Sequence, residues 1–259
     1  MINCVITAGG IPQPDDPLYA LTQGKSKVLL DMNGRTMLER VVDALQGATT
    51  IGEIVIAGLG GDMGMTFQKP VNHIPDQGSM LQNALGGIAQ MRELHPETKM
   101  ILLCSADIPT ITPAIVDDFI EKCAPYDKGM VYNFVDKQTM EVRFPNSNRT
   151  YVKLKDAPIA GGDMTLIQAD LGDSNQEIWK ALTNARKHAW KLAHVVGLRT
   201  LLKLLLRQLT FADIEAAAER ITGRPCQVLL NPHAEVAMDA DKPEQVALLQ
   251  ADFISREKV

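Results

Sequence analysis

The sequence predicts an α/β fold, and three observations carry that prediction. Short apolar, β-branched runs alternate with longer segments of helical period, which is the pattern of strands covered by helices. The first run, Ile2–Thr7, leads directly into Ala8-Gly9-Gly10, so small residues stand where the backbone leaves the sheet. A later run, Ile101–Cys104, ends in Ser105-Ala106-Asp107-Ile108-Pro109. It sets a carboxylate at a strand's C-terminal edge, where open α/β sheets hold their ligands.

The elements follow in order. Strands are expected at Ile2–Thr7, Glu53–Ala57, Val71–Ile74, Met100–Cys104, Met130–Phe134, Met164–Gln168 and Gln227–Leu230. Helices are expected at Thr36–Leu45, Met80–Leu94, Pro113–Lys122 and Pro243–Phe253. Pro113 suits a first helical turn behind Thr112, a good N-cap. Thr139–Phe144 and Arg149–Leu154 flank Pro145-Asn146-Ser147-Asn148 and read as a hairpin with a four-residue loop. Ser174–Thr222 reads as wholly helical, broken at Gly197 and Thr210. With no repeat and no Gly/Ser linker, residues 1–259 read as one domain, and 138–222 as an insertion or cap over one face of the sheet.

Composition narrows the function. A hydrophobic fraction of 46%, a charged fraction of 22% and a net charge of −5 describe an ordinary globular chain without the basic excess of a nucleic-acid binder. Cys4, Cys104, Cys123 and Cys226 are too far apart for a zinc motif or a disulfide framework, so reduced thiols and a cytoplasmic setting are expected. No secretory leader and no membrane span are expected either.

The chemistry-bearing segments lie at loop positions. Main-chain N–H groups of Ala8-Gly9-Gly10 are open to a base or phosphate, although two glycines after a strand also make a plain tight turn. The loop runs on through Pro12, Pro14 and Pro17 to Gly24-Lys25-Ser26-Lys27, and such long loops in compact domains are usually functional. Lys25 and Lys27 could neutralise a triphosphate, or stand as solvated surface charges. Asp107 suits a hard cation such as magnesium; the bland alternative, a helix cap, is better served by Thr112. Asp239 and Asp241 alternate before Lys242-Pro243 and would point the same way in an extended chain. They could equally complement a helix N-terminus.

The order Ala-Gly-Gly, then Lys-x-Leu-Leu-x-x-x-Gly-x-x-Met-Leu, then x-Ala-Asp-x-Pro, then Asp-x-Asp-x-Pro-Glu resembles the nucleotidyltransferase superfamily. The branch most resembled is the molybdenum-cofactor guanylyltransferase-like NTP transferases. That resemblance covers about Met1–Ala124 and Pro225–Phe253. It implies a Rossmann-like, glycosyltransferase-A-like fold with a mixed, mostly parallel sheet flanked by helices, as in nucleotide-diphospho-sugar transferases. It implies nucleotide binding by Ala8, Gly9, Gly10, Lys25 and Lys27, with Lys27 also catalytic. Asp107 is implied as a magnesium ligand and catalytic residue, with Asp241 as the later ligand and Asp239 a close second. Pro75-Asp76-Gln77-Gly78-Ser79-Met80 resembles the segment that closes over the nucleobase, so Gly78 and Ser79 would touch base or ribose, although a Ser79 that merely caps the helix would look the same. Gly161-Gly162-Asp163 resembles a Gly-Gly turn beside the acceptor, which makes Gly161 and Gly162 acceptor contacts. The expected partners are an NTP and a small phosphorylated acceptor. The loop from Ile11 to Gln23 lacks the arginine usual in the family, and Lys25 would replace it only as a point charge.

Two other enzyme and binding classes compete with this reading. A glycosyltransferase of the same fold would carry Asp-x-Asp where this chain has Ser105-Ala106-Asp107. A non-catalytic nucleotide-binding regulator would tolerate the missing arginine. Gly58-Leu59-Gly60-Gly61-Asp62-Met63-Gly64 fails the dinucleotide fingerprint, because Met63 stands at its third glycine. Lys180, Arg186, Lys187, Lys191, Arg199, Lys203 and Arg207 could grip a phosphorylated acceptor or an anionic membrane. The interleaved Leu201, Leu202, Leu204, Leu205 and Leu206 instead predict a packed amphipathic helix. His188 and His194 fall out of phase on a helix and are not expected to bind metal.

Overall fold

A computed structural model describes residues 1–173 and 197–256. Eight strands form one sheet: β1 (Ile2–Thr7), β2 (Ile51–Gly58), β3 (Asn72–Pro75), β4 (Met100–Ser105), β5 (Met130–Asp136), β6 (Val152–Lys153), β7 (Pro158–Gln168) and β8 (Cys226–Leu230). Their order is β3-β2-β1-β4-β7-β5-β8, with β6 on β7. β3, β2, β1 and β4 run parallel, β7 is antiparallel to β4 and β5, and β8 is parallel to β5. The sheet is therefore mixed and mostly parallel, as expected.

Described helices are α1 (Tyr19–Thr22), α2 (Met37–Gly47), α3 (Met80–Leu94), α4 (Pro113–Lys122), α5 (Lys137–Arg143), α6 (Leu198–Leu205), α7 (Phe211–Thr222) and α8 (Pro243–Arg256). β1 is buried on both faces, which explains its unbroken apolar run. Cys4 and Ile6 join α2, α4 and α8 in the larger core, whereas Val5 faces Ile88 and Met91 of α3 on the other side. Thr36 caps α2 and Glu39 reaches back to it in a capping box. Thr112 caps α4 with Pro113 at its first turn.

The expected hairpin is not there. Thr139–Phe144 belongs to α5 and its C-terminal turn, because Asp136 caps a helix by accepting from the Thr139 N–H at 2.9 Å. Met140 and Phe144, four apart, then bury one stripe in the core. Within Arg149–Leu154 only Val152–Lys153 is a strand, and its partner is β7. β7 itself begins six residues before the expected Met164 and runs through the middle of the sheet, so the 138–222 stretch is not a cap alone. Gly161-Gly162 accordingly stands inside a strand, with Gly161 opposite Phe134, and not in a turn.

Gly197 and Thr210 do precede helices: Gly197 has φ +90° and Thr210 closes a capping box with Asp213. Lys180, Arg186, Lys187, Lys191, His188 and His194, together with the helical reading of 174–196, lie outside the described residues. The expected packed amphipathic helix is met on one side of α6 only: Leu204 packs on the Leu154–Ile159–Leu209 cluster, while no residue of the helix is fully buried. Leu198, Leu202, Leu205 and Leu206 are 64%, 49%, 70% and 70% exposed. Among the described residues no helix is long and apolar enough to cross a membrane.

Candidate active site

The site forms at the C-terminal edge of β1 and β4. The β1–β2 ladder is extended by the Ala8 N–H, which donates to the Ala57 carbonyl at 2.7 Å. The chain then bends through Gly10 at φ +109°, a conformation that side-chain-bearing residues rarely adopt. Gly58 lies directly against this loop, and a Cβ on it would strike the backbone of Gly9. The rejected dinucleotide motif thus contributes a glycine after all, as room for the loop. Ser26, buried, donates from Oγ to the Ala8 and Gly10 carbonyls at 3.4 Å. That staple ties the far end of the long loop to its start and leaves the carbonyls occupied.

A 3₁₀ turn over Lys27–Leu29 follows Ser26 and sends Lys27 across the strand ends. Its Nζ lies 2.6 Å from Asp107 Oδ2 and 2.6 Å from Asp241 Oδ1, and 3.4 Å from the Ala240 carbonyl. Burial would lower the Lys27 pKa, but attraction to Asp107 and then to Asp241 outweighs it and holds the ammonium above its ordinary value. Asp107 is fixed from both sides. Ser105 Oγ donates to its Oδ1 at 2.5 Å, and its carbonyl accepts from the Ala240 N–H at 3.2 Å. The second bond carries the Asp239–Asp241 segment to the end of β4. Gln245 Oε1 accepts the Asp241 N–H at 3.0 Å, fixing Asp241 two residues ahead of α8.

Carboxylate oxygens of Asp107, Asp239 and Asp241 all lie within 4.8 Å of one another. Three hard oxygen donors at that spacing fit magnesium. Asp163, one residue past Gly162 on β7, adds a fourth carboxylate whose Oδ2 is buried without a hydrogen-bond partner. Burial and the nearby charge of Asp107 raise its pKa to about 7.

Arg149 comes from a segment that sequence reasoning took for a hairpin. It pairs with Asp239 through Nη1. Asn146 and Asn148 adopt φ of 60° and 56°, and the Ser147 and Asn148 carbonyls accept from Gln245 Nε2 at 3.1 Å and Lys242 Nζ at 2.9 Å. The Pro145–Asn148 loop is thus strapped to the start of α8, and it delivers a guanidinium to the acidic cluster. The Asn-rich loop was the only local signal for this, since Asn tolerates positive φ. Asp163 was visible as the third residue of Gly161-Gly162-Asp163, but only the strand pairing shows that it faces Asp107.

The remaining expected residues divide. Ser79 is the N-cap of α3 and accepts from the Gln82 N–H, while Gly78 takes φ +91° just ahead of it. Asn83 of α3 donates to Asp76 Oδ1 at 2.8 Å and lies under Gly9, so this segment and the glycine loop are neighbours. Lys25 is exposed and lines a surface hollow with Leu21, Thr22, Ser26 and Leu30, apart from the carboxylates. Gly161 and Gly162 leave room for the side chains of Tyr132 and Asn133 crossing from β5.

The fold has relatives of known structure. A hypothetical transferase from Thermus thermophilus is 30% identical, with 95% of this chain and 99% of that chain covered and a TM-score of 0.79. The 2-C-methyl-D-erythritol 4-phosphate cytidylyltransferase of the same species is 14% identical, covers 98% of each chain and has a TM-score of 0.53. The 4-diphosphocytidyl-2C-methyl-D-erythritol synthase of Anaerococcus prevotii DSM 20548 is 11% identical over 98% of this chain and 96% of that one, with a TM-score of 0.58. These last two share the fold alone. The family model of the MobA-like NTP transferase domain matches residues 4–224. By that match over most of its length, the chain belongs to the MobA-like NTP transferase domain family.

Proposed function

We propose that this chain transfers a nucleoside monophosphate from an NTP to a small phosphorylated acceptor, with release of pyrophosphate. The observation that carries this reading is convergence. Lys27 from the loop, Asp107 from the end of β4 and Asp241 from the start of α8 meet at 2.6 Å contacts beside the Ala8-Gly9-Gly10 backbone. Asp107 and Asp241, with Asp239 beside them, are the residues that would hold magnesium, which neutralises charge on the α-phosphate when bound. Lys27 then turns from the carboxylates toward the triphosphate and offsets the charge of the departing pyrophosphate. With the Ala8 N–H spent on Ala57, the N–H groups of Gly9 and Gly10 take the base and phosphates beside Ala8, Gly78 and Ser79 the base or ribose, and Lys25 the outer end of the triphosphate. Gly161 and Gly162, whose missing side chains make room for Tyr132 and Asn133, border the acceptor through their backbone. An acceptor oxygen forms its bond to the α-phosphorus as the α–β bridge breaks, so positioning and electrostatics do most of the work.

Two observations favour this reading over its competitors. Ser105 donates to Asp107 where a glycosyltransferase would carry a second metal-binding aspartate. Arg149 brings a guanidinium to the acidic cluster that the glycine-rich loop does not supply. All four cysteines are free thiols, in keeping with a cytoplasmic enzyme. A thermal-shift screen of four NTPs with and without magnesium, followed by a pyrophosphate-release assay against phosphorylated acceptors, tests the reading. Asp107→Asn should cost about 2–3 kcal/mol of transition-state stabilisation, about a 30- to 150-fold loss in kcat/KM. Unchanged turnover in that variant would sink the assignment.

A further inference from the structure

We infer that α6 is a docking surface for an anionic lipid bilayer. Leu198, Leu202 and Leu205 repeat at i, i+4 and i+7, so they share one face of the helix. Among the described residues nothing covers that face: the three side chains are 64%, 49% and 70% exposed, and Leu206, at 70%, continues it. A soluble domain gains nothing by leaving four leucines together in water.

The other side of α6 is firmly attached, so the outward leucines do not reflect a detached helix. Leu204 packs on the Leu154–Ile159–Leu209 cluster. Lys203 Nζ pairs with Asp213 Oδ1 of α7 at 2.6 Å, and Arg220 Nη2 donates to Thr200 Oγ1 at 3.0 Å. The leucine face is thus held outward on a rigid support.

Charge selects the occupant. The chain carries 31 Asp and Glu against 26 Lys and Arg, yet residues 197–212 hold Arg199, Lys203 and Arg207 and not one Asp or Glu, Asp213 of α7 being spent on Lys203. Arg199, Lys203 and Arg207 lie on or just after α6, and both arginines are exposed. Leucines beside arginines, in a stretch cleared of acids, match a surface with anionic headgroups over an apolar interior. Each leucine enters the acyl boundary while the longer arginine stems reach back to the phosphates. A nucleic acid would satisfy the arginines but leave the leucines in water. An apolar partner protein would satisfy the leucines but give no reason for the missing acids.

The full-length protein should cosediment with vesicles containing phosphatidylglycerol and not with pure phosphatidylcholine, and added salt should weaken the binding. Arg199→Glu with Arg207→Glu should weaken it at least about tenfold, and Leu202→Asp with Leu205→Asp should abolish it. Melting curves of both double variants serve as the folding control. Should the leucine pair fail to fold, amide exchange in the unmodified protein decides, because phosphatidylglycerol vesicles must then slow exchange within 198–206. No binding to anionic vesicles, equal binding to neutral ones, or a dimer that Leu202→Asp with Leu205→Asp dissociates would overturn the assignment.

Discussion

At the scale of single residues, the acidic cluster is a balance of four carboxylates against two cations. Lys27 answers Asp107 and Asp241, and Arg149 answers Asp239. Asp163 is left over, with a buried Oδ2 that no group satisfies. Its pKa is about 7 in the folded protein against an ordinary 3.8. Between those values the folded state holds a proton that the unfolded chain has released, so the contribution of Asp163 to stability is full at low pH and is lost as pH rises toward 7. Asp163→Asn removes that loss. The variant should match the parent near pH 4 and exceed it at pH 8 by up to about 4 kcal/mol in denaturant unfolding. A constant offset at both pH values would show that Asp163 is not raised. Asp163 and Arg149 are also the residues that no reading of the sequence assigned. Asp107 stood out because a strand ran into it, whereas Asp163 sits inside β7, where a carboxylate looks like any polar position on an alternating strand. Its closeness to Asp107 follows from the antiparallel β4–β7 register, in which Cys104 faces Met164.

At the scale of elements, the glycine loop depends on the strand next to it. Gly58 ends β2 at φ +118° and lies against the backbone of Gly9, and the Ala8 N–H is spent on Ala57. Gly58→Ala combines a strained backbone with a clash against main chain that cannot rotate away. It should cost about 2–3 kcal/mol in unfolding free energy and weaken NTP-dependent thermal stabilisation, since the Ala8-Gly9-Gly10 backbone moves with it. Intact NTP shifts in a folded Gly58→Ala protein would remove that loop from the binding site. The elements most legible in the sequence were those with both a period and a cap, such as α2 behind Thr36 and α4 behind Thr112. The least legible was α5. Its Met140 and Phe144 are only four apart, and the Asn-containing loop beyond it carries the composition of a hairpin turn. Asp136 decides the outcome, because its carboxylate accepts from both the N–H and the Oγ1 of Thr139 and so closes the first helical turn.

At the scale of the whole molecule, charge is sorted by place. Four carboxylates meet at the strand-end cleft, whereas residues 197–212, which contain α6, carry Arg199, Lys203 and Arg207 and no acid. Asp107, Asp239 and Asp241 carry one negative charge more than Lys27 and Arg149 offset, and a divalent cation would answer it. Magnesium at a hundredfold excess over its Kd should therefore add about 2.7 kcal/mol of stability, read as a rise in Tm. Asp241→Asn should shrink that rise, and an equal rise with or without Asp241 would place the cation elsewhere.

By itself the sequence determined the α/β class, most of the strands of the parallel half of the sheet, and the order of Lys27, Asp107, Asp239 and Asp241 along the chain. Those features are local: periodicity, a cap, or a charged residue at the end of an apolar run. Only the tertiary structure decided that β7 passes between β4 and β5, that Arg149 reaches Asp239, that Asp163 faces Asp107, and that the leucines of α6 point outward. Each of these depends on which distant segment packs beside which. Strand register and loop strapping set that, and hydrophobic period carries no record of it.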